Sequence, residues 1–180
     1  MKPFALLTIA TLMAAPAFAQ SAFAQSAAEK TGINSLVGAA PTTGDFVREA
    51  ITSDMFEIQS SKLAVERADP PTVEFAQQMI KAHQKTSAEL KKLMAATGIL
   101  SVPSIGLTAS QTDMLTKLKG LQGAAFIEKY TSDQQKVHED AVDLFKRYAE
   151  GGDNTALKEW AAKTLPTLEH HLAMAKQLNT

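Results

Sequence analysis

The 180-residue chain is long enough for one domain with a sizeable core. Its 18 Lys and Arg stand against 19 Asp and Glu, which excludes the basic footprint of a nucleic-acid binder. The absence of cysteine excludes disulfides, thiolate nucleophiles and zinc–thiolate sites. The chain begins MKPFALLTIATLMAAPAFAQ: a basic start at Lys2, an apolar run from Phe4 to Ala15, then Pro16 and the small-residue site Ala17-Phe18-Ala19. This is the layout of a secretory signal peptide, and it predicts export to the periplasm or beyond. Its apolar run is too short for a stable membrane span. The segment AFAQS occurs twice in tandem, so cleavage falls after Ala19 or after Ala24, with Ala19 preferred. Residues 20–43 are rich in Ala, Ser, Gly and Thr and hold no sustained period, which predicts a flexible leader before a single domain over 44–180.

The first long helix is predicted over about residues 45–68, with Val47, Ile51, Ile58 and Val65 as its apolar face. Beside that face runs a stripe of mostly small residues, Phe46, Ala50, Ser53, Glu57, Ser61 and Ala64. Asp69-Pro70-Pro71 breaks the chain, because proline disfavours helix in the residue before it and suits a first turn. A second helix follows over about 71–97 and stops at Gly98. Its seam, Val73, Ala76, Ile80, His83, Ser87, Leu90, Met94, alternates steps of three and four without a fault. In the connection that follows, Thr108 and Gln111 have capping-box spacing, which predicts a short helix over about 109–119.

A further long helix is predicted over about 124–150, ending at Gly151-Gly152. Ile127, Tyr130, Gln134, Val137, Ala141, Leu144 and Tyr148 form its seam, with His138 and Phe145 beside it. The last helix, about 154–178, carries the seam Leu157, Ala161, Thr164, Leu168, His171, Ala175, Leu178. Pro166 lies off that seam and removes one backbone donor. The tight turns make each successive pair antiparallel. The long middle connection allows a return along the molecule, so the expected fold is all-α: a ferritin-like four-helix bundle with one long crossover carrying a short extra helix.

His83 and His171 fall on apolar seams, His138 at a seam edge and His170 beside the seam of the last helix, and Glu57 falls on the small-residue stripe. Measured from the Asp69–Pro70 turn, Glu57 and His83 lie at one level. His138 and His171 differ by about one helical turn, near 5 to 6 Å. Imidazole and carboxylate together suit a transition-metal ion, with one ligand from each long helix: Glu57, His83, His138 and His171. The plainer alternative is a polar core in which these groups bond to one another, for example Glu57 to His83. Di-iron bundles place a Glu three residues before the ligating His. Here Ile80 and Leu168 hold those positions, which argues against a di-iron centre. The chain has no nucleophile elbow and no phosphate-binding glycine loop.

The runs FVREAITSDMFEIQSSKLAVERADPPTVEFAQQMIKAHQKTSAEL, FIEKYTSDQQKVHEDAVDLFKRYAEGG and LKEWAAKTLPTLEHHLAMA resemble the domain of unknown function 4142 family over about residues 43–178. The matching positions are Glu57, His83, Val137-His138 and Leu165-Pro166 followed by His171-Leu172, so His171 rather than His170 is the matching histidine. The resemblance implies an exported, ferritin-like helical bundle and names no reaction. It has one departure: Ala82-His83 stands where members commonly carry Asp-His. The leading expectation is therefore an exported, non-enzymatic binding or interaction module with no nucleic-acid partner and no integral membrane span once the signal is removed. The alternative is a mononuclear metal-binding or redox protein using the four residues above, with one transition-metal ion as its cofactor.

Overall fold

The structure, a computed structural model, describes residues 27–99 and 105–178; the expected signal peptide and both cleavage sites lie outside them. The described residues are all-α, in the order α1 (Ala27–Lys30), α2 (Ile33–Val37), α3 (Thr43–Arg67), α4 (Pro70–Ala96), α5 (Ala109–Lys119), α6 (Gly123–Gly151) and α7 (Thr155–Gln177). None of these helices is long and apolar enough to cross a membrane.

Local chemistry sets the ends of the helices. The Thr42 hydroxyl accepts from the Asp45 N–H to open α3, and Asn154 accepts from the Leu157 N–H to open α7. Pro70 and Pro71 occupy the first turn of α4, where no intrahelical donor is needed. Gly98, at φ 74°, turns the chain out of α4. Thr108 and Gln111 form the reciprocal capping box that starts α5. At the other end of α5, the Arg67 guanidinium donates to the carbonyls of Leu118, Lys119 and Leu121, placing a cation at a helix C-terminus.

The four long helices surround one interior. α3 packs on α4 and α6, and α7 packs on α6 and α4, while α5 lies across α3 and α6. Cross-helix partners fix the directions: Ser61 meets Tyr130, and Thr43 meets Tyr148, so α3 and α6 run antiparallel. Two apolar clusters fill the ends of this interior. One contains Phe46, Leu90, Phe145, Tyr148, Leu157 and Trp160. The other contains Phe75, Met79, Phe126, Tyr130 and Ala175. On each long helix a polar group lies between its contributions to the two clusters: Glu57 on α3, His83 on α4, His138 on α6 and His171 on α7. The polar centre is thus plugged by apolar packing above and below.

One sequence expectation changes here. The predicted apolar face of the first long helix is not its innermost face. Val47 is buried, but Ile51 and Ile58 are half-buried and Val65 is 37% exposed. The small-residue stripe is the inner one, with Phe46, Ala50, Glu57, Ser61 and Ala64 buried. Neighbours on several sides of α3 reward small side chains that permit close approach over large ones that hold helices apart.

Part of the segment expected as a flexible leader is helical, comprising α1 and α2. Its anchor is Glu29, whose carboxylate accepts from both terminal nitrogens of Arg147 on α6, at 2.8 and 3.3 Å. Arg147 also donates to the Ala39 carbonyl and to Asp143. This buried, bidentate contact spans 118 positions of sequence. Arg147→Ala is expected to release α1 and α2, so that trypsin cuts after Lys30 about tenfold faster while overall helicity is retained. An unchanged cleavage rate would show that other contacts hold the segment.

Candidate metal centre

His83, His138 and His171 come from three different helices and meet at one point. Their ring centroids are 5.6, 5.7 and 5.5 Å apart, a nearly equilateral triangle. One nitrogen from each ring lies within 4.8 Å of the other two. The rings are buried, with exposures of 3, 1 and 6%. The offset of one turn expected between His138 and His171 therefore does not keep them apart. His170, the adjacent histidine, is exposed and faces away from the centre.

Hydrogen bonds define which nitrogens are free. His138 Nδ1 donates to the Gln134 carbonyl at 2.9 Å, which leaves Nε2 with its lone pair. His83 Nδ1 sits 2.7 Å from Asp54 Oδ1, again leaving Nε2. His83 Nε2, His138 Nε2 and His171 Nδ1 are all buried with no hydrogen-bond partner among the described residues. An unpartnered buried polar atom is uncommon in a folded interior, and each of the three rings carries one.

Glu57 is fully buried; neither carboxylate oxygen makes a hydrogen bond of good geometry among the described residues, and the Gln134 side chain is a polar neighbour that favours its charged form. Its Oε1 lies 3.7 Å from His138 Nδ1, on the ring edge turned toward Gln134. Glu57 thus stands beside the three nitrogens rather than within the group that closes to 4.8 Å. The pairing of Glu57 with His83 that the hairpin geometry suggested is made by Asp54 instead, one turn earlier on α3. Sequence reasoning missed Asp54. The available signal was its position three before Glu57, which puts both carboxylates on one side of the helix.

Burial governs the charges. It pushes the Glu57 carboxyl up to about 7, against the opposing pull of the His83 charge. It holds His138 down to about 3 and His171 down to about 4, with the His83 charge acting in the same direction. Burial also works against protonation of His83, but its hydrogen bond to Asp54 and the charges of Glu57 and Asp54 outweigh this and raise it. At neutral pH, His138 and His171 are therefore neutral bases with available lone pairs. Once an incoming ion displaces the second proton of His83, three imidazole donors and an adjacent carboxylate can hold one borderline-soft divalent ion, and they leave coordination positions unfilled by histidine.

Ala82 is half-buried, and the carboxylate on His83 is supplied across the hairpin by α3. Comparison with protein-family models matches residues 17–178 to the family described as Domain of unknown function (DUF4142). No curated protein matches the chain, and no solved structure does.

Proposed function

The chain belongs to the DUF4142 family, and from that premise we propose that it is an exported protein that binds a single transition-metal ion through His83, His138 and His171, with Glu57 alongside. The observation that carries this reading is the convergence of three buried imidazole nitrogens, one from each ring, within 4.8 Å of one another. A polar core built only for packing would satisfy its own donors and acceptors. Here three nitrogens and both Glu57 oxygens lack hydrogen bonds of good geometry among the described residues. Bonds of about 2.0–2.1 Å to a shared ion place ligating nitrogens about 3.4 Å apart, a distance that modest ring rotations reach from this geometry. Imidazole donors without thiolate suit zinc, copper, iron or nickel. Glu57 supplies negative charge next to the cation in a buried interior.

The burial of the centre favours holding an ion over acting on a large substrate. This ranks metal binding above the interaction-module reading, for which no comparable constellation speaks. The charge, apolar run and small-residue site at the N-terminus support export. Two antiparallel helix pairs joined by a crossover that carries α5 support a ferritin-like four-helix bundle.

The test is a Co(II) titration of metal-free protein, followed by calorimetry and visible absorption. One equivalent is expected to bind. His83→Ala, His138→Ala and His171→Ala are each expected to lose roughly 100-fold in affinity or more, and His170→Ala to bind as the wild type does. Absence of stoichiometric binding, or equal binding by the His138 and His170 variants, would overturn the reading.

A further inference from the structure

Two carboxylates one helical turn apart on α3 have been given different surroundings. The Glu57 oxygens make no hydrogen bond of good geometry among the described residues, whereas Asp54 is saturated. Asp54 Oδ1 accepts from His83 Nδ1 at 2.7 Å, both of its oxygens accept from Thr86 Oγ1 at 2.9 Å, and Oδ2 accepts from Ser87 Oγ at 2.8 Å. All three donors belong to α4, the helix that carries His83. Asp54 is buried and is not among the donors that close to 4.8 Å. Its oxygens are already in use, so it cannot also ligate an ion shared by the three rings.

We propose that Asp54 is the positioning residue of the metal centre: by accepting the Nδ1–H of His83 it fixes that ring's tautomer and aims Nε2 at the ion. The proposal rests on the metal-binding reading above. An imidazole can carry its proton on either nitrogen and can turn about its bond to Cβ. A carboxylate held at Nδ1 removes both freedoms and strengthens Nε2 as a donor. Thr86 and Ser87 also tie the same carboxylate to α4, a clasp distinct from its contact with His83. His138 has only the neutral Gln134 carbonyl in the equivalent place. Of the three rings, His83 is thus the one whose Nδ1 meets a carboxylate at hydrogen-bond distance.

A purely structural role, clasping α3 to α4, is separated from this one by comparing two variants. Asp54→Asn removes the charge from the His83 contact. The double variant Thr86→Val with Ser87→Ala removes the other two clasping donors and leaves the carboxylate on His83. Both are titrated with Co(II) after their helicity has been checked, and Asp54→Ser is made alongside in case the Asn variant does not fold. Asp54→Asn, or Asp54→Ser, is expected to bind about 10- to 100-fold more weakly with a changed Co(II) visible spectrum. The double variant is expected to stay within about threefold of wild type with an unchanged spectrum. If the Asp54 variants match a wild type that binds cobalt, or if the double variant loses as much as they do, the positioning role is wrong and the metal-binding reading stands. If the wild type itself fails to bind, both fall.

Discussion

Glu57→Gln is expected to stabilise the metal-free protein at pH 8 by about 3 kcal/mol and to leave it nearly unchanged at pH 4; this follows from a carboxyl raised from 4.5 to about 7 in the folded state. Below pH 4.5 the carboxyl is protonated in both the folded and the unfolded chain, so its shift costs nothing. Between 4.5 and about 7 the unfolded chain releases the proton and the folded one keeps it, so stability falls as pH rises. Above that window the full penalty remains, and Gln, of the same shape and without charge, escapes it. Urea unfolding of both proteins in chelator at pH 4 and pH 8 checks this. Equal differences at the two pH values would show that Glu57 is not held in the environment described.

His138 and His171 pull the other way. Each is neutral when folded down to about 3 and about 4, against 6.5 when unfolded, so acid below pH 6.5 progressively favours the unfolded chain. These contributions are common to both proteins and cancel in the comparison. With an ion bound, the effect of Glu57→Gln reverses: the charge that burdens the metal-free protein neutralises the cation, and its removal is expected to weaken Co(II) binding by about tenfold.

Phe46→Ala is expected to cost about 4 kcal/mol and to lower Tm by about 10 °C, measured by thermal and urea unfolding. Phe46 is fully buried. Its ring stacks on Tyr148 at 3.9 Å and meets Phe145 and Trp160 edge-on at 5.0 and 6.1 Å. Truncation removes the ring and these aromatic contacts together, and leaves a cavity bounded by α6 and α7 side chains that cannot collapse independently. The cluster also closes one end of the polar centre, so the variant is expected to take up cobalt less tightly as well. A loss below about 1 kcal/mol would mean that the neighbouring rings repack into the space.

The pattern of three-four spacing placed His83 and His171 indoors before any coordinates, because an amphipathic helix has one inner stripe and both residues sit on it. His138, assigned to a stripe beside its seam, is as deeply buried as the seam itself, since α6 is covered by α3 and α7 on adjacent sides. The broad inner surface of α3 was less legible. Its large aliphatic residues read as the core face, yet Ile51 and Ile58 are only half-buried while Asp54, Glu57, Ser60 and Ser61 are inside. Hydrophobicity alone cannot identify a polar interior.

The sequence by itself determined, to within a few residues, where the four long helices and α5 begin and end, and that His83 and His171 face inward. Thr42, Pro70 and Pro71, Gly98, the Thr108–Gln111 box and Asn154 act within a turn or two of their own positions, and their energies do not depend on distant partners. Tertiary structure alone decided which carboxylate reaches His83, how closely the three rings converge and where Glu29 docks. Glu57 and Asp54 differ by a single turn, and a small change in crossing angle or register between α3 and α4 exchanges them. The Glu29–Arg147 contact joins elements far apart in the chain, and no local periodicity records such a partner.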